Sequence, residues 1–349
     1  MHGVMKNCML AVFSLLLCLV AAELTVRALH LSPAVMTQLD CIRFVDNPEL
    51  MYELIPGGEV DGSRINAQGF KDSEFSIAKP QNLVRIVMLG DSITHGWGVP
   101  LGQTFSDRLE TLLNERSAAL SRPTKYEVMN FGVVGYNLAC EWVTLKEKAI
   151  VYQPDIVVLN FFHNDGEPLP GCFFSDLPLD DFQRGILLNR YYQHRSDPGW
   201  RRFFRQNLYK SELFVFILSR TSNFKAQVAS YVNTHYNKVS GDEAVYEKYI
   251  KKIIQLRDEK KFKLLICLHS HLLYGVHSNN ETFARILDRE GIPYFNMIDY
   301  YERENIKPDS IQRAEDKRDT CHPNAAGHLI IAKAMMTELR KHHFLDGGS

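Results

Sequence analysis

The chain has 349 residues, which is enough for one large domain or two small ones with an extensive core. Its net charge of -1 argues against a general nucleic-acid-binding protein, because such proteins carry a basic excess. The seven cysteines form no CxxC pair, and two of them lie in the N-terminal apolar segment, which leaves an odd number. This pattern argues against a disulfide framework and a zinc site of the usual spacing, and it leaves a single disulfide bond open.

The N-terminus carries an apolar run, Cys8–Ala22, which is preceded by Lys6. The length of this run lies between that of a signal-peptide core and the roughly 20 residues that span a bilayer. The small residues Val20-Ala21-Ala22 suit a signal peptidase, whereas the apolar residues that resume after Glu23 favour a retained anchor. We therefore expect residues 1–30 to be a signal anchor or a signal peptide, and the chain to be exported.

Residues 31–82 form a predicted connector that packs on the domain behind it, since turn signals such as Ile55-Pro56-Gly57-Gly58 outweigh any periodicity. From Leu83 onward strand and helix patterns alternate, which predicts βαβ units and a parallel sheet. The predicted strands are Val84–Leu89, Tyr126–Asn130, Ile156–Phe161, Leu264–Leu268 and Tyr294–Met297. The predicted helices are Phe105–Glu115, Leu138–Tyr152, Asp242–Lys260, Glu281–Glu290 and Ala325–Lys341. Residues 83–345 are thus expected to form a three-layer α/β/α domain with a flavodoxin-like, parallel five-stranded sheet.

The alternation breaks over an insert at about residues 166–241. The insert is rich in aromatic and basic residues, among them Phe173, Phe174, Tyr191, Tyr192, Trp200, Phe203, Phe204, Arg184, Arg190, Arg195, Arg201, Arg202 and Arg205. It leaves from the end of the third predicted strand, so that a lid or substrate-binding cap is one interpretation and packing against the domain is the other. Binding of nucleic acid is disfavoured by the neutral overall charge.

A serine stands where the first predicted strand ends, in Gly90-Asp91-Ser92. Glycine permits a tight turn, and a strand followed by a turn and a helix presents a side chain at the carboxyl edge of the sheet. A serine acts as a nucleophile at neutral pH when a base takes its proton and a third group orients that base. Asp319 and His322 lie three residues apart at a predicted helix start and provide both groups.

Two further stretches offer donors for the oxyanion that forms during ester cleavage. Asn130–Gly135 follows the second predicted strand, and glycine leaves its backbone N–H open to a ligand. Asn164 follows the third predicted strand and adds a side-chain amide. These stretches and Ser92 fall just beyond strand ends, and His322 falls just before the last helix, so we expect all of them at one edge of one sheet.

The fourth predicted strand is followed by His269, Ser270 and His271, and His277 comes soon after. Alternate residues on an extended chain face opposite ways, and no nearby carboxylate completes a ligand set. We therefore expect these histidines at a pocket rim or at the surface, and we expect no metal site.

These stretches together resemble the four sequence blocks of the GDSL/SGNH hydrolase superfamily, over about residues 83–341. The blocks are Gly90-Asp91-Ser92-Ile93, Gly135, Asn164-Asp165 and Asp319-x-x-His322. The third block usually reads Gly-x-Asn-Asp, and Phe162 stands here in place of the glycine, which bears on the loop conformation and the pocket size. The connector and the N-terminal apolar segment resemble a bacterial, envelope-associated branch of that superfamily.

The resemblance implies roles for five residues. Ser92 would be the nucleophile, His322 the base and Asp319 the group that orients it, while the backbone N–H groups of Ser92 and Gly135 and the Asn164 amide would form the oxyanion hole. The implied activity is a serine esterase that cleaves an O-acyl group on a carbohydrate, or a lipid-like ester, through an acyl-serine intermediate and without metal or organic cofactor.

Two other functions remain open at this point. An O-acyltransferase acting on an envelope polysaccharide would use the same residues, and a non-catalytic glycan-binding envelope protein is the alternative outside the enzymes. The expected partners are a small-molecule or polysaccharide ester and, through the N-terminal segment, a membrane; nucleic acid is not expected. The expected location is the bacterial cell envelope, with the chain anchored facing the periplasm or exterior, or secreted after cleavage.

Overall fold

The computed structural model describes most of the chain. The described residues are 2–31, 42–47, 49–121, 123–166, 200, 208, 211–220, 243–270, 278–313, 319 and 321–345. The chain divides into two compact units, Met1–Asp46 with Leu179–Lys238 and Asn47–Pro178 with Val239–Ser349. The domain boundaries inferred from the sequence pattern stay a prediction.

Strands alternate with helices from Leu83 onward. The strands are β1 Ile42–Asn47, β2 Leu50–Leu54, β3 Glu59–Val60, β4 Ser63–Arg64, β5 Leu83–Gly90, β6 Lys125–Asn130, β7 Ile156–Phe161, β8 Lys263–Leu268 and β9 Tyr294–Asn296. The α-helices are α1 His2–Ala28, α2 Ser92–His95, α3 Phe105–Ala118, α4 Leu138–Thr144, α5 Glu212–Arg220, α6 Glu243–Lys260, α7 Ser278–Glu290, α8 Met297–Arg303, α9 Pro308–Ile311 and α10 Ala325–Lys341.

The larger unit is built on a parallel five-stranded sheet in the order β6-β5-β7-β8-β9. Ile86 at the centre of β5 pairs with Val128 on one side and Ile156 on the other. The strands β7 and β8 are buried on both faces, which explains their continuous apolar sequences. This is the flavodoxin-like strand order, and its direction switches between β5 and β7, where open α/β sheets hold their ligands.

Helices cover both faces of the sheet, which confirms the predicted three-layer α/β/α class. On one face α3 and α10 pack against each other, and their buried residues share a core with strand residues such as Met88 and Val158. On the other face α4 packs on α6 and α6 on α7, and Phe161 of β7 stacks on Phe283 of α7 with ring centroids 4.2 Å apart. Alternate residues of each strand therefore pack against the helices on opposite faces of the sheet.

The predicted bounds of the strands agree with the structure to within a residue, whereas one predicted helix has a different form. The segment Leu138–Tyr152 is helical along its whole length, but α4 continues as a π-helical turn, Leu145–Ala149, and a 3-10 turn, Ile150–Tyr152. It ends at Gln153, whose φ is +55°. The apolar periodicity of the sequence carries no signal for such a widened turn.

The connector contains short strands that its sequence pattern does not indicate. The strands β3 and β4 form an antiparallel pair around Asp61 and Gly62, which both have positive φ. The side chain of Arg85 on β5, only 1% exposed, donates hydrogen bonds to the backbone carbonyls of three consecutive connector residues. Those residues are Ser76, Ile77 and Ala78. The predicted connector is therefore fixed to the sheet through its backbone.

The smaller unit contains α1 and α5. The stretch Val4–Ala28 of α1 is long and apolar enough to cross a membrane, with a mean hydropathy of 2.4. The helix α5 packs against α1 and belongs to the insert. Apart from Trp200, the aromatic and basic insert residues named above lie outside the described residues.

Candidate active site

The turn after β5 places Ser92 at the first residue of α2. A Cβ at Gly90, whose φ is +155°, would collide with the Thr94 side chain, so the turn requires glycine. The Asp91 side chain accepts a hydrogen bond from the Ile93 N–H at 3.1 Å and caps α2. Ser92 therefore stands at the carboxyl end of β5, beside the point where the strand order switches.

His322 and Asp319 meet Ser92 in a continuous hydrogen-bonded chain. The Nε2 atom of His322 lies 2.7 Å from the Ser92 Oγ, and its Nδ1 atom lies 2.9 Å from both carboxylate oxygens of Asp319. Asp319 also accepts hydrogen bonds from the backbone N–H groups of His322 and Cys321 at 2.9 and 3.1 Å. Residues more than two hundred positions apart in sequence thus come within bonding distance.

The charge on Asp319 sets the tautomer of His322. Burial raises the pKa of Asp319, but the hydrogen bonds and charge of His322 and the two backbone N–H donors lower it to about 2. The ionised carboxylate can only accept, so the Nδ1 atom of a neutral His322 carries the hydrogen and its Nε2 atom accepts from the Ser92 hydroxyl. Ser92 is 1% and His322 5% exposed, so the hydrogen bond between them is shielded from bulk water.

The turn that carries His322 is fixed by the start of α10. Asn324 accepts a hydrogen bond from the Gly327 N–H at 3.0 Å, as the sequence-predicted helix start requires, and donates to the Gln312 carbonyl at 2.9 Å. A Cβ at Gly327 would collide with Pro323, so the helix begins tightly against the histidine turn.

Two basic side chains that the sequence analysis did not identify contact Asp319 and the loop that follows α2. Arg313 pairs with Asp319 at 3.4 Å, and its guanidinium lies against the backbone of Gly98, where a Cβ would overlap it. The buried Lys71 Nζ donates to the carbonyls of Gly96 and Val99 at 2.8 and 2.6 Å. The loop that follows α2 is thereby held between the connector and Asp319.

The connector also contributes an acidic group to this loop. Asp61 accepts a hydrogen bond from the Gly98 N–H and lies 3.5 Å from the Lys71 Nζ. Burial lowers the pKa of Lys71, and the charge of Asp61 opposes that effect. A lysine and an aspartate ten residues apart in a turn-rich segment are too common a pattern to identify such a support from sequence.

The loops that carry Gly135 and Asn164 are bonded to each other and to the end of β5. The Val133 N–H donates to the Gly90 carbonyl at 3.2 Å, and the Leu138 N–H donates to the Asp165 carbonyl at 3.1 Å. Gly135 has φ +73°, which glycine adopts freely, and Asn164 is buried. The structure therefore brings both predicted donor loops to the edge of the sheet that holds Ser92.

Phe162 fills the place of the usual glycine without disturbing its loop. Its side chain is 2% exposed and belongs to the apolar core, and its φ is not positive. Its N–H donates to the Asp165 Oδ2 at 2.7 Å, and its carbonyl accepts from the Asp165 N–H at 3.0 Å. The loop is thus closed by Asp165 in a conformation that does not require glycine.

His269 is an interior side chain, so the surface position that we considered for it is wrong. Its Nε2 atom lies 3.3 Å from both the Asn160 Oδ1 and the Cys267 Sγ, and burial lowers its pKa to about 3. Burial likewise lowers the pKa of His95 and of His328 to about 3. His271 and His277 lie outside the described residues, and within those residues no three His, Cys, Asp or Glu side chains are grouped so as to hold a metal.

Comparison with known proteins gives one family match and several similar structures. The model of the GDSL-like Lipase/Acylhydrolase family matches residues 88–330. An α/β hydrolase enzyme from the metagenome of Lake Arreo, Spain, is 14% identical, with 73% of this chain and 94% of that chain covered and a TM-score of 0.43. An acetylxylan esterase from Geobacillus stearothermophilus is 12% identical, with 73% and 94% covered and a TM-score of 0.43.

A two-domain esterase active on acetylated mannans is also similar, at 15% identity and a TM-score of 0.44, with 76% of this chain and 51% of that chain covered. A comparison with curated proteins finds no match.

Proposed function

The chain belongs to the GDSL-like lipase/acylhydrolase family and is an ester-hydrolysing serine enzyme, and from this premise we propose that Ser92 is its nucleophile, His322 its base and Asp319 the group that orients the base. The observation that supports these roles best is the 2.7 Å hydrogen bond between the Ser92 Oγ and the His322 Nε2, with ionised Asp319 behind the imidazole. His95, His269 and His328 are weaker candidates for the base, because a group with a pKa near 3 holds a proton poorly at neutral pH.

The proposed reaction has two steps. The Ser92 Oγ attacks the ester carbonyl while the His322 Nε2 takes the hydroxyl proton, and the tetrahedral intermediate then expels the alcohol, to which His322 returns that proton. Water next attacks the acyl-serine with His322 again as the base. The intermediate collapses to the carboxylic acid, and the proton goes back to the Ser92 Oγ. Asp319 stabilises the imidazolium in both steps.

We assign the oxyanion hole to the backbone N–H groups of Ser92 and Gly135 and to the Asn164 amide. The hydrogen bonds that join their loops to the end of β5 support this assignment, because preorganised donors need no rearrangement as charge develops. Each such donor contributes about 3 kcal/mol to transition-state stabilisation in comparable sites.

The proposed substrate is an O-acylated carbohydrate of the cell envelope, with a lipid-like ester as the second candidate. The aromatic and arginine-rich composition of the insert supports a carbohydrate, since rings stack on sugar faces and arginines pair with carboxylates. Trp200, the one of the aromatic insert residues named above that lies within the described residues, is 64% exposed. An O-acyltransferase remains the alternative, in which a sugar hydroxyl replaces water in the second step.

The test of the catalytic roles is the variant Ser92→Ala with p-nitrophenyl acetate as substrate. We expect kcat/KM to fall by about 10⁴-fold or more, and a fluorophosphonate to label wild type at Ser92 only. Ser106→Ala is the matched control, because Ser106 is an equally buried serine on α3 and should leave turnover unchanged. Labelling at another serine, or full turnover in Ser92→Ala, would refute the assignment.

Adding an oligosaccharide acceptor to the same assay separates hydrolase from transferase. Release of free acetate at an unchanged rate supports hydrolysis, whereas acetylated oligosaccharide as the main product supports transfer.

We further propose that the chain is exported and works at the bacterial envelope. The apolar helix α1 supports this location, since its length and composition suit a signal or a membrane anchor. The test is protease treatment of spheroplasts: we expect the chain to be digested while a cytosolic marker is protected. Protection of both would refute export.

A further inference from the structure

The end of α1 and the start of α5 are joined by one carboxylate. The Glu23 Oε2 accepts hydrogen bonds from the Ser211 hydroxyl at 2.7 Å and the Leu213 N–H at 2.9 Å, and its Oε1 accepts from the Glu212 N–H at 3.0 Å. The first N–H groups of a helix have no partner within the helix. Glu23 of α1 therefore caps the first two N–H groups of α5, while the Ser211 hydroxyl accepts from the third, that of Phe214, at 3.1 Å.

A second charged side chain of α1 joins this contact, and each of the two helices has a buried valine. Arg27 donates to the Glu23 carboxylate at 2.7 Å and lies 3.6 Å from the Glu212 carboxylate. Val26 on α1 and Val215 on α5 are both buried. Glu23, Val26 and Arg27 all follow Ala22, where a signal peptidase would cut.

Cleavage after Ala22 would therefore dismantle the contact. It would leave only Glu23–Ala28 of the helix, and a helix of six residues does not persist without support. It would also place a new ammonium group on Glu23. The capping of α5 thus requires α1 to continue through Ala22 in the folded protein.

The position of Glu23 along α1 matches the edge of a bilayer. From Lys6 to Glu23 the helix rises about 26 Å, near the roughly 30 Å of the hydrocarbon core. These two charged residues would then lie at the two interfaces. A carboxylate at this depth is costly unless donors satisfy it, and the start of α5 provides three.

The side of α5 that faces away from Val215 is apolar. Ile217 stands two residues, or about 200°, further around the helix and is 55% exposed. Leu213 lies one turn before Ile217 on the same side. The Arg220 guanidinium lies 5.1 Å from the centre of the Phe216 ring, so that its charge is at the end of this apolar side. Apolar residues bordered by a long basic side chain are typical of helices that lie in a membrane interface.

We propose that α1 is retained as a membrane anchor and that α5 lies in the outer interface of the same bilayer, with Leu213 and Ile217 toward the acyl chains and Glu23 holding the two helices together. The bilayer is chosen as the occupant because α5 packs against α1, a helix that is long and apolar enough to span a membrane. This inference rests on the proposed export of the chain, and it adds that the insert itself contacts lipid.

The test uses tryptophan fluorescence of the full-length protein in vesicles of dibrominated phosphatidylcholine, compared with unbrominated vesicles. Bromine quenches only residues within the bilayer. We expect the added tryptophan of Ile217→Trp to lose about half of its emission or more. Ile77→Trp is the matched control, since Ile77 is an isoleucine of similar exposure, 63%, in the connector. Quenching of Ile217→Trp no greater than that of Ile77→Trp would overturn lipid contact by α5.

A second pair of variants tests the role of Glu23. In the Ile217→Trp background, Glu23→Ala should abolish most of the added quenching, whereas Thr25→Ala should preserve it, because the Thr25 hydroxyl donates to the Ala21 carbonyl of its own helix. Retained quenching in Glu23→Ala would overturn the capping role. A mature chain that begins at Glu23 by mass spectrometry would overturn the anchor.

Hydrolysis of p-nitrophenyl acetate by the same variants keeps the two proposals apart. If Ile217→Trp is not quenched but its hydrolysis is unchanged, only the proposed membrane contact fails. If wild type does not hydrolyse the ester, only the proposed catalytic roles fail.

Discussion

The connector before β5 and the insert after β7 both interrupt the strand–helix alternation, yet different partners hold them. The connector is fixed to the sheet by the buried side chain of Arg85, and to the loop that follows α2 by that of Lys71. The described helix of the insert, α5, is instead held by an acidic side chain, Glu23 of the N-terminal helix. In both regions each of these charged side chains bonds several backbone groups, and the contacts organise segments whose sequences have little periodicity.

The two regions consequently predict different mutant phenotypes. Loss of Arg85 or Lys71 should reduce stability, and loss of Lys71 should also reduce the turnover of every substrate, because its contacts end in the loop that follows α2. Changes on the exposed side of the insert should affect only lipid contact or large substrates. The predictions below run from the largest expected effect to the smallest.

The largest effect is expected for Arg85→Met. This change removes the donors to the carbonyls of Ser76, Ile77, Ala78 and Tyr152 and the ion pair with Glu127. Leaving these buried groups without partners should lower the free energy of unfolding by about 4 kcal/mol, measured by urea denaturation. Arg289→Met is the control: Arg289 is half exposed, its ion pair lies at the surface, and the loss should be below about 1 kcal/mol. Equal losses would mean that Arg85 does not fix the connector.

Lys71→Met tests whether the connector also acts on catalysis. Without the Nζ donor the carbonyls of Gly96 and Val99 lose their partner, and the loop that Arg313 rests on can shift. We expect kcat for p-nitrophenyl acetate to fall about tenfold with little change in KM, because small displacements of catalytic groups reduce the rate of the chemical step. Lys79→Met, in the same connector but bonded to Asp155, should leave kcat unchanged. An unchanged kcat in Lys71→Met would confine the connector to a role in stability.

The pH dependence of the free energy of unfolding reports on the ionisation of Asp319, whose carboxylate pairs with Arg313. The folded-state pKa of about 2 is below the ordinary value of 3.8, so ionised Asp319 stabilises the fold above about pH 4. That contribution is lost as the pH falls from about 4 to about 2. Wild type should therefore exceed Asp319→Asn in unfolding free energy by about 2 kcal/mol at pH 6, and the difference should disappear near pH 2. A difference that stays constant between these pH values would contradict the lowered pKa.

The sequence allowed the sheet, and the meeting of Ser92 with Asp319 and His322 at its edge, to be predicted because the signals for both are local. Each strand is a short apolar run, and Asp319 and His322 lie three residues apart at a helix start that Asn324 marks. The contacts that hold the loop after α2 join residues distant in sequence, since Lys71 bonds carbonyls 25 and 28 residues further along the chain. No spacing or periodicity reports such a contact, which depends on how the chain folds around the sheet.

The conformation of the loop that begins at Phe162 could also not be predicted from the sequence pattern. A missing glycine matters only where φ is positive or space is lacking, and neither can be read from residue order. In the folded chain its side chain is part of the apolar core and Asp165 closes the loop. The capping of α5 by Glu23 is similar in kind, since the two residues that meet are nearly 190 positions apart.

The smallest effect on stability is expected for Trp200→Ala, which tests the insert as a binding surface for carbohydrate. The Trp200 side chain is 64% exposed, so its removal should change the free energy of unfolding by less than about 0.5 kcal/mol. If the ring stacks on a sugar, KM for an acetylated polysaccharide should rise several-fold, while kcat/KM for p-nitrophenyl acetate should be unchanged, because Ser92 and His322 are untouched. Leu208→Ala removes another exposed apolar side chain of the insert that has no ring, and it should leave both substrates unaffected. Parallel losses on both substrates with a lower Tm would instead show that Trp200 packs as part of the scaffold, and the contrast between insert and connector would then be lost.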